Sequence, residues 1–123
     1  MTTQQTKNRR AGALWETTLL DYLRSTGHKA ERLRLAGTND EGDIALMGND
    51  FNADVIIEAK AEKQINLASY VGEAEKEAGN YARRRGIDPA DVDWCAVVKR
   101  RNHPVGKAYV VMTLDHYLGL DVK

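Results

Sequence analysis

Apolar side chains recur along this chain with two periods, and the period changes wherever the chain punctuates itself. Trp15, Leu19, Tyr22 and Leu23 fall at i, i+4, i+7 and i+8, one face of a helix. Gly27 ends that pattern, so a helix is predicted over about residues 11–26. Residues 30–35 have mixed polarity and predict a short strand near a sheet edge. Residues 37–42 are a loop by composition. Residues 43–47 and 53–60 predict two strands joined by a turn at Gly48-Asn49-Asp50, most simply a hairpin. The Val55-Ile56-Ile57 run is apolar on both faces, which places the second of these strands centrally.

A longer helix is predicted over about residues 67–85. Leu67, Val71, Ala74, Ala78, Tyr81 and Ala82 form its buried stripe, and their small size suggests close packing on a sheet. Gly86 and Asp88-Pro89 end it. Residues 92–99 and 107–112 predict two further strands around a turn at residues 100–104. Thr113 caps a short final helix that runs to Leu118. The predicted order is α-β-β-β-α-β-β-α, without internal repeat or linker.

The chain has 123 residues, which suits one compact domain. Residues 1–10 are polar and lack the hydrophobic region of a signal peptide. They read as a flexible basic arm ahead of a single domain at residues 11–123. No apolar stretch approaches the roughly 20 residues that span a bilayer, so no membrane partner is expected and a cytoplasmic location is. Cys95 is the one cysteine, which excludes an intramolecular disulfide and a zinc site built from several thiolates. It lies in an apolar run and reads as a buried small hydrophobe. Trp15 and Trp94 read as core. His28, His103 and His116 are scattered without ligand spacing and read as surface or structural. Formal net charge is zero, so any nucleic-acid binding must come from clustered charge.

The chemistry is concentrated at the end of the central strand. Val55-Ile56-Ile57-Glu58-Ala59-Lys60 puts a carboxylate and an ammonium two residues apart, on one face. Alone, the pair also fits an ion pair where a strand emerges into solvent. The hairpin partner changes its meaning, because it can bring Asp43 beside Glu58. Two carboxylates suit Mg²⁺, which takes one or two of them and keeps several waters. The backbone carbonyl of Ala59 is a candidate third ligand. Lys60 would orient the attacking water or stabilise developing negative charge, and burial with positive neighbours would lower its pKa. On the first helix Glu16, Leu20 and Leu23 flank the buried stripe, so Glu16 can point toward the sheet. It fits a role at the metal or its water, and also a boundary glutamate favoured by the helix dipole.

Asp43 followed by Glu58-x-Lys60, behind a helical Glu16, resembles the PD-(D/E)XK nuclease superfamily. Arg10-Ala11-Gly12-Ala13-Leu14-Trp15-Glu16 is similar to the Arg-x-Gly-x-x-x-Glu opening of archaeal-type Holliday-junction resolvases. The resemblance covers residues 9 to 65 in matching order, and small phage resolvases are similar in length and layout. No proline precedes Asp43, as is often so in that superfamily, and Asp40 and Glu41 lie close by. Asp43 is preferred as the motif acid because it opens a strand. The resemblance implies an α/β, restriction-endonuclease-like fold: a mixed central sheet flanked by helices. It implies a homodimer and paired cuts in a four-way DNA junction, leaving 5′-phosphate and 3′-hydroxyl ends. It also implies Mg²⁺ with Mn²⁺ as substitute, and no nucleotide cofactor. Asp43 and Glu58 would bind the metal, Glu16 would assist through water, and Lys60 would serve the attacking water. A phage source is plausible, with location in the host cytoplasm. Two other readings stay open: a restriction-like or repair nuclease on duplex, nicked or flap DNA, and a non-catalytic DNA-binding module on a nuclease fold.

Three basic clusters are candidates for phosphate contacts: Lys7, Arg9 and Arg10; Arg83, Arg84 and Arg85; and Lys99, Arg100 and Arg101. The second and third also fit plain structural roles, at a helix C-terminus and in a solvated turn. Gln64, just after the central strand, reads as a loop residue.

Overall fold

A computed structural model describes residues 4–33, 41–48 and 53–121. Its elements are α1 (Gln4–Ser25), β1 (Ala30–Arg32), β2 (Ile44–Leu46), β3 (Val55–Lys60), α2 (Leu67–Arg84), β4 (Asp93–Val98), β5 (Tyr109–Val111) and α3 (Leu114–Tyr117). The order is the expected one. The five strands form one mixed sheet in spatial order β1-β2-β3-β4-β5. β3 and β4 are parallel, joined by the α2 crossover, and the other neighbours are antiparallel. The predicted hairpin is the β2–β3 pair, with Ile44 opposite Ile57. The fold is α/β, a mixed central sheet flanked by helices.

The two faces of β3 go to different helices, as period-two geometry requires. Ile57 packs with Trp15, Leu19 and Leu20 of α1, together with Ile44 and Cys95. Ile56 packs with Ala74, Ala78 and Tyr81 of α2, together with Trp94. Small alanines let α2 lie close on the sheet. The Trp15 indole donates to the Val97 carbonyl at 3.3 Å, which pins α1 to β4. Glu58 and Lys60 share parity with Ile56 and therefore lie on the α2 side.

Three expectations change. Residues 4–10 belong to α1 rather than to an arm. They contain neither Gly nor Pro, and Gln, Lys and Arg are good helix formers. On α1, Leu20 is buried and Tyr22 is 39% exposed. On α2, Leu67 is exposed and Val71 only half-buried, while Tyr70 and Glu77 are buried. The expected Ala74, Ala78, Tyr81 and Ala82 are buried, and Tyr70 and Glu77 join them on the inward face in place of Leu67 and Val71. Asp40 and Leu35 lie outside the described residues.

The core and cap assignments of Trp94, Cys95, His116 and Thr113 hold. Trp94 and Cys95 are buried, and burial, then Asp93, pushes the Cys95 thiol up to about 12. His116 is structural. Its ring stacks on Trp94 at 4.3 Å, with Asp121 3.1 Å from Nδ1. Thr113 caps α3 by accepting from the His116 N–H. Among the described residues, no helix is long and apolar enough to cross a membrane.

Candidate active site

Asp43 directly precedes β2 and stands across from Glu58 in the β2–β3 register. Its N–H donates to the Ile57 carbonyl at 3.1 Å, and its Oδ2 accepts from the Ala59 N–H at 2.8 Å. The Lys60 carbonyl instead accepts from Lys99 N on the β4 side, at 2.8 Å. Backbone groups alternate between strand edges, so the Ala59 carbonyl points toward the edge that Asp43 occupies. Gly42 makes the approach possible. Its φ of +101° suits glycine, and a Cβ there would lie 2.7 Å from Cγ2 of the fully buried Ile56.

The structure separates Asp43 from its near neighbour in sequence. Glu41 is 5% exposed and turns away to the end of α2. There Arg85 Nη1 donates to it at 3.0 Å and Arg84 Nε lies 3.4 Å away. Arg85 also stacks on Tyr81, at 3.7 Å. Glu41 is therefore held by the scaffold, while Asp43 faces Glu58.

Glu58 is 7% exposed, and among the described residues no hydrogen-bond donor reaches its buried Oε2. Its Oε1 lies 3.4 Å from Lys60 Nζ. Burial, then the Glu77 carboxylate, pushes Glu58 up to about 8, against the pull of Lys60. Burial, then Glu58, pushes Asp43 up to about 8 as well, and Glu16 adds to the repulsion from α1. Glu16 is thus brought within electrostatic reach of Asp43. Lys60 departs from the sequence expectation. Burial pulls its ammonium down, but Glu73 and Glu58 outweigh that and hold it above its ordinary value. The neighbours of Lys60 are acidic, not positive.

Glu73 and Glu77 were not singled out from the sequence. Glu73 Oε2 lies 2.5 Å from Lys60 Nζ. Glu58, Glu73 and Glu77 each place a carboxylate oxygen within 4.8 Å of the others. The available signal was a glutamate at heptad spacing on an apolar stripe, Tyr70-Ala74-Glu77-Tyr81. Such a residue is costly to bury unless it has work to do.

The chain is similar to a solved Holliday junction resolvase. That protein is Hjc from Archaeoglobus fulgidus, an archaeal hyperthermophile, at 24% identity and a TM-score of 0.47. The match covers 77% of this chain and 73% of Hjc. No protein-family model matches, and no curated protein does. The likeness to Hjc concerns the course of the chain, and the chemistry below rests on this chain's own side chains.

A cleft of about 650 Å³ opens beside Lys60. Arg9 and Gly12 of α1, Ala59 and Lys60 of β3, Lys63 and Gln64 of the following loop, and Arg101 line it. One residue from each of two basic clusters, Arg9 and Arg101, thus lines the cleft beside Lys60, and that lining includes neither Asp43 nor Glu58. Arg10 and Lys99 are exposed near it in sequence, Arg100 lies over the Tyr109 ring at 5.7 Å, and the Lys7 side chain lies outside what is described. The third cluster is diverted. Arg84 and Arg85 hold Glu41, and Arg83 donates to Asn80 at 2.7 Å. Gln64 lines the cleft as well as belonging to a loop. A separate apolar pocket of about 490 Å³ lies between α1 and β5 and includes neither Asp43, Glu58 nor Lys60.

Proposed function

We propose that this chain is a magnesium-dependent, structure-selective DNA endonuclease that resolves four-way junctions. One observation carries the reading. Asp43 and Glu58 are brought together on adjacent strands, in a buried setting that their neighbours make more negative rather than less. Lys60 pairs with Glu58 and Glu73, Glu58 also faces Asp43 and Glu77, and Glu16 adds to the repulsion on Asp43, so acid outweighs base among the groups that act on Asp43 and Glu58. A hard divalent cation would relieve that imbalance, and the buried Glu58 Oε2, without a donor among the described residues, is an oxygen ready to accept it.

The residues present fit such an ion. Asp43 and Glu58 would hold it, with the Ala59 carbonyl as a third oxygen and Glu16 acting through water. Magnesium, or manganese in its place, supplies a Lewis acid for phosphoryl oxygens and an activated water at neutral pH. The chain's own groups do the rest. Lys60, kept charged by its acidic neighbours, stabilises the negative charge that develops on the phosphoryl group and is unsuited to be the base. Arg9 and Arg101 on the cleft walls bind flanking phosphates. Such contacts read shape rather than base sequence, which suits branched DNA. A junction has near-twofold symmetry, so paired cuts call for a C2 homodimer. The exposed Val110 of β5 and Leu114 and Tyr117 of α3 are the apolar surface we assign to it.

The test offers four-way junction, linear duplex, nicked and flap DNA at equal concentration in Mg²⁺ and in Mn²⁺. Paired, symmetric cuts in the junction alone are expected. Equal cleavage of all four substrates replaces the resolvase with a general repair or restriction-like nuclease. Binding without cleavage in either metal leaves a DNA-binding module.

A further inference from the structure

We propose that Glu73 is a positioning residue for Lys60, fixing its ammonium beside the cleft that Lys60 lines, where a DNA phosphate would lie. The inference rests on the nuclease reading above and goes beyond it by giving α2 a part in the reaction. A lysine side chain is a flexible four-carbon stem carrying a point charge. Left alone at a strand end, it would spread over many rotamers. Here it is held on three sides. Glu58 Oε1 lies 3.4 Å from Nζ, Glu73 Oε2 lies 2.5 Å from it, and the Tyr70 ring centre lies 5.2 Å beneath.

Two of these supports, Tyr70 and Glu73, are themselves anchored. Tyr70 is 2% exposed, and its hydroxyl lies 3.1 Å from both Glu62 Oε2 and the Gln64 carbonyl. Glu73 Oε1 accepts from the Ser69 hydroxyl at 3.3 Å. Ser69 N in turn donates to the Asn66 side chain that caps α2, at 3.1 Å. A chain of contacts thus runs from the helix cap to the ammonium. Glu73 is open to solvent on its outer side, whereas the Lys60 side chain is only 15% exposed. A pair with one solvated partner adds little to the stability of a fold. What it does set is where the charge stands, and an error of about 1 Å near a reacting centre is costly in rate.

The experiment is a double-mutant cycle on single-turnover junction cleavage in Mg²⁺. It uses the full chain and the variants Glu73→Ala, Glu73→Gln, Lys60→Ala and Lys60→Ala with Glu73→Ala. Junction affinity and thermal unfolding are measured alongside. Glu73→Ala is expected to slow cleavage by about tenfold to a hundredfold with junction affinity unchanged. Glu73→Gln still accepts from the ammonium and recovers most of the rate. In the Lys60→Ala background Glu73→Ala changes nothing further, because the two act as one unit. A wild-type rate for Glu73→Ala overturns the proposal, and so does an equal fold-loss in both backgrounds. Asp43→Asn serves as the separate control. If it cleaves at the wild-type rate, the metal-site assignment fails, whatever Glu73 does; if the wild type itself cleaves none of the DNA substrates, the nuclease reading fails.

Discussion

Glu41 and Glu58 are both buried, at 5% and 7% exposure, on segments that neighbour one another in the fold, and their surroundings are opposite. Glu41 meets two guanidinium groups. Glu58 meets one ammonium and the carboxylates of Asp43 and Glu77. A buried charge is tolerated when partners offset its lost hydration. Around Glu41 the protein supplies those partners itself. Around Glu58 it supplies mostly more acid, which the proposed cation would offset. On the proposed function, that difference separates a structural carboxylate from one that would receive a cation, and it does so without reference to motif.

The strongest way to break the comparison is to neutralise each acid in turn. Glu58→Gln should slow junction cleavage in Mg²⁺ by about a thousandfold or more, measured by single turnover, while binding persists. Glu41→Gln should cleave at close to the wild-type rate. Equal losses would mean that both clusters serve only the fold.

Proton linkage gives the next largest effect. Asp43 and Glu58 keep their protons in the fold up to about 8, against ordinary values of 3.8 and 4.5. Between about 4 and 8 the folded state therefore binds more protons than the unfolded chain, so stability falls as pH rises through that window. Unfolding temperatures taken in a chelator should decline from pH 5 to pH 8. Glu58→Gln should flatten that decline and, at pH 8, raise Tm by about 4 °C or more. Added Mg²⁺ should restore the wild type at pH 8 in a concentration-dependent way. A flat profile in the wild type would remove the electrostatic half of the comparison.

Stability sharpens the Glu41 side. Glu41→Gln should lower unfolding free energy by about 1 kcal/mol, a modest value because Arg84 and Arg85 are half exposed. Urea titration at pH 5 reads this apart from the other linkage. The smallest effect concerns the cations. Arg9→Ala and Arg101→Ala should each reduce the slope of log affinity against log salt by about one. Arg85→Ala should leave that slope unchanged, since its partner is Glu41. A lower slope for Arg85→Ala would return the α2 arginines to the DNA surface.

The sheet and the meeting of Asp43 with Glu58 were legible because both follow from local rules: alternation, a turn, and a short hairpin whose register is nearly forced. The α2 acids were not. A stripe drawn through Leu67 and Val71 treats Glu77 as a gap, and only the packed sheet reveals that Tyr70 and Glu77 face inward. The arginines at residues 83–85 look alike as a run of charge. Their roles divide on a partner 44 residues away, which no local pattern supplies. The start of α1 was missed for a simpler reason. Polar residues without a breaker are silent in a reading based on apolar period, yet they continue a helix readily.

Gly42 carries a consequence for anyone who would transplant this site onto another scaffold. Its left-handed backbone sends the residue before it toward the arginines of α2 and the residue after it toward Glu58. The space it leaves is taken by Ile56. Copying Asp43, Glu58 and Lys60 alone would therefore copy the reagents without the signpost that sorts them. The smallest portable unit is Glu41-Gly42-Asp43 together with the strand that carries Ile56, Glu58 and Lys60.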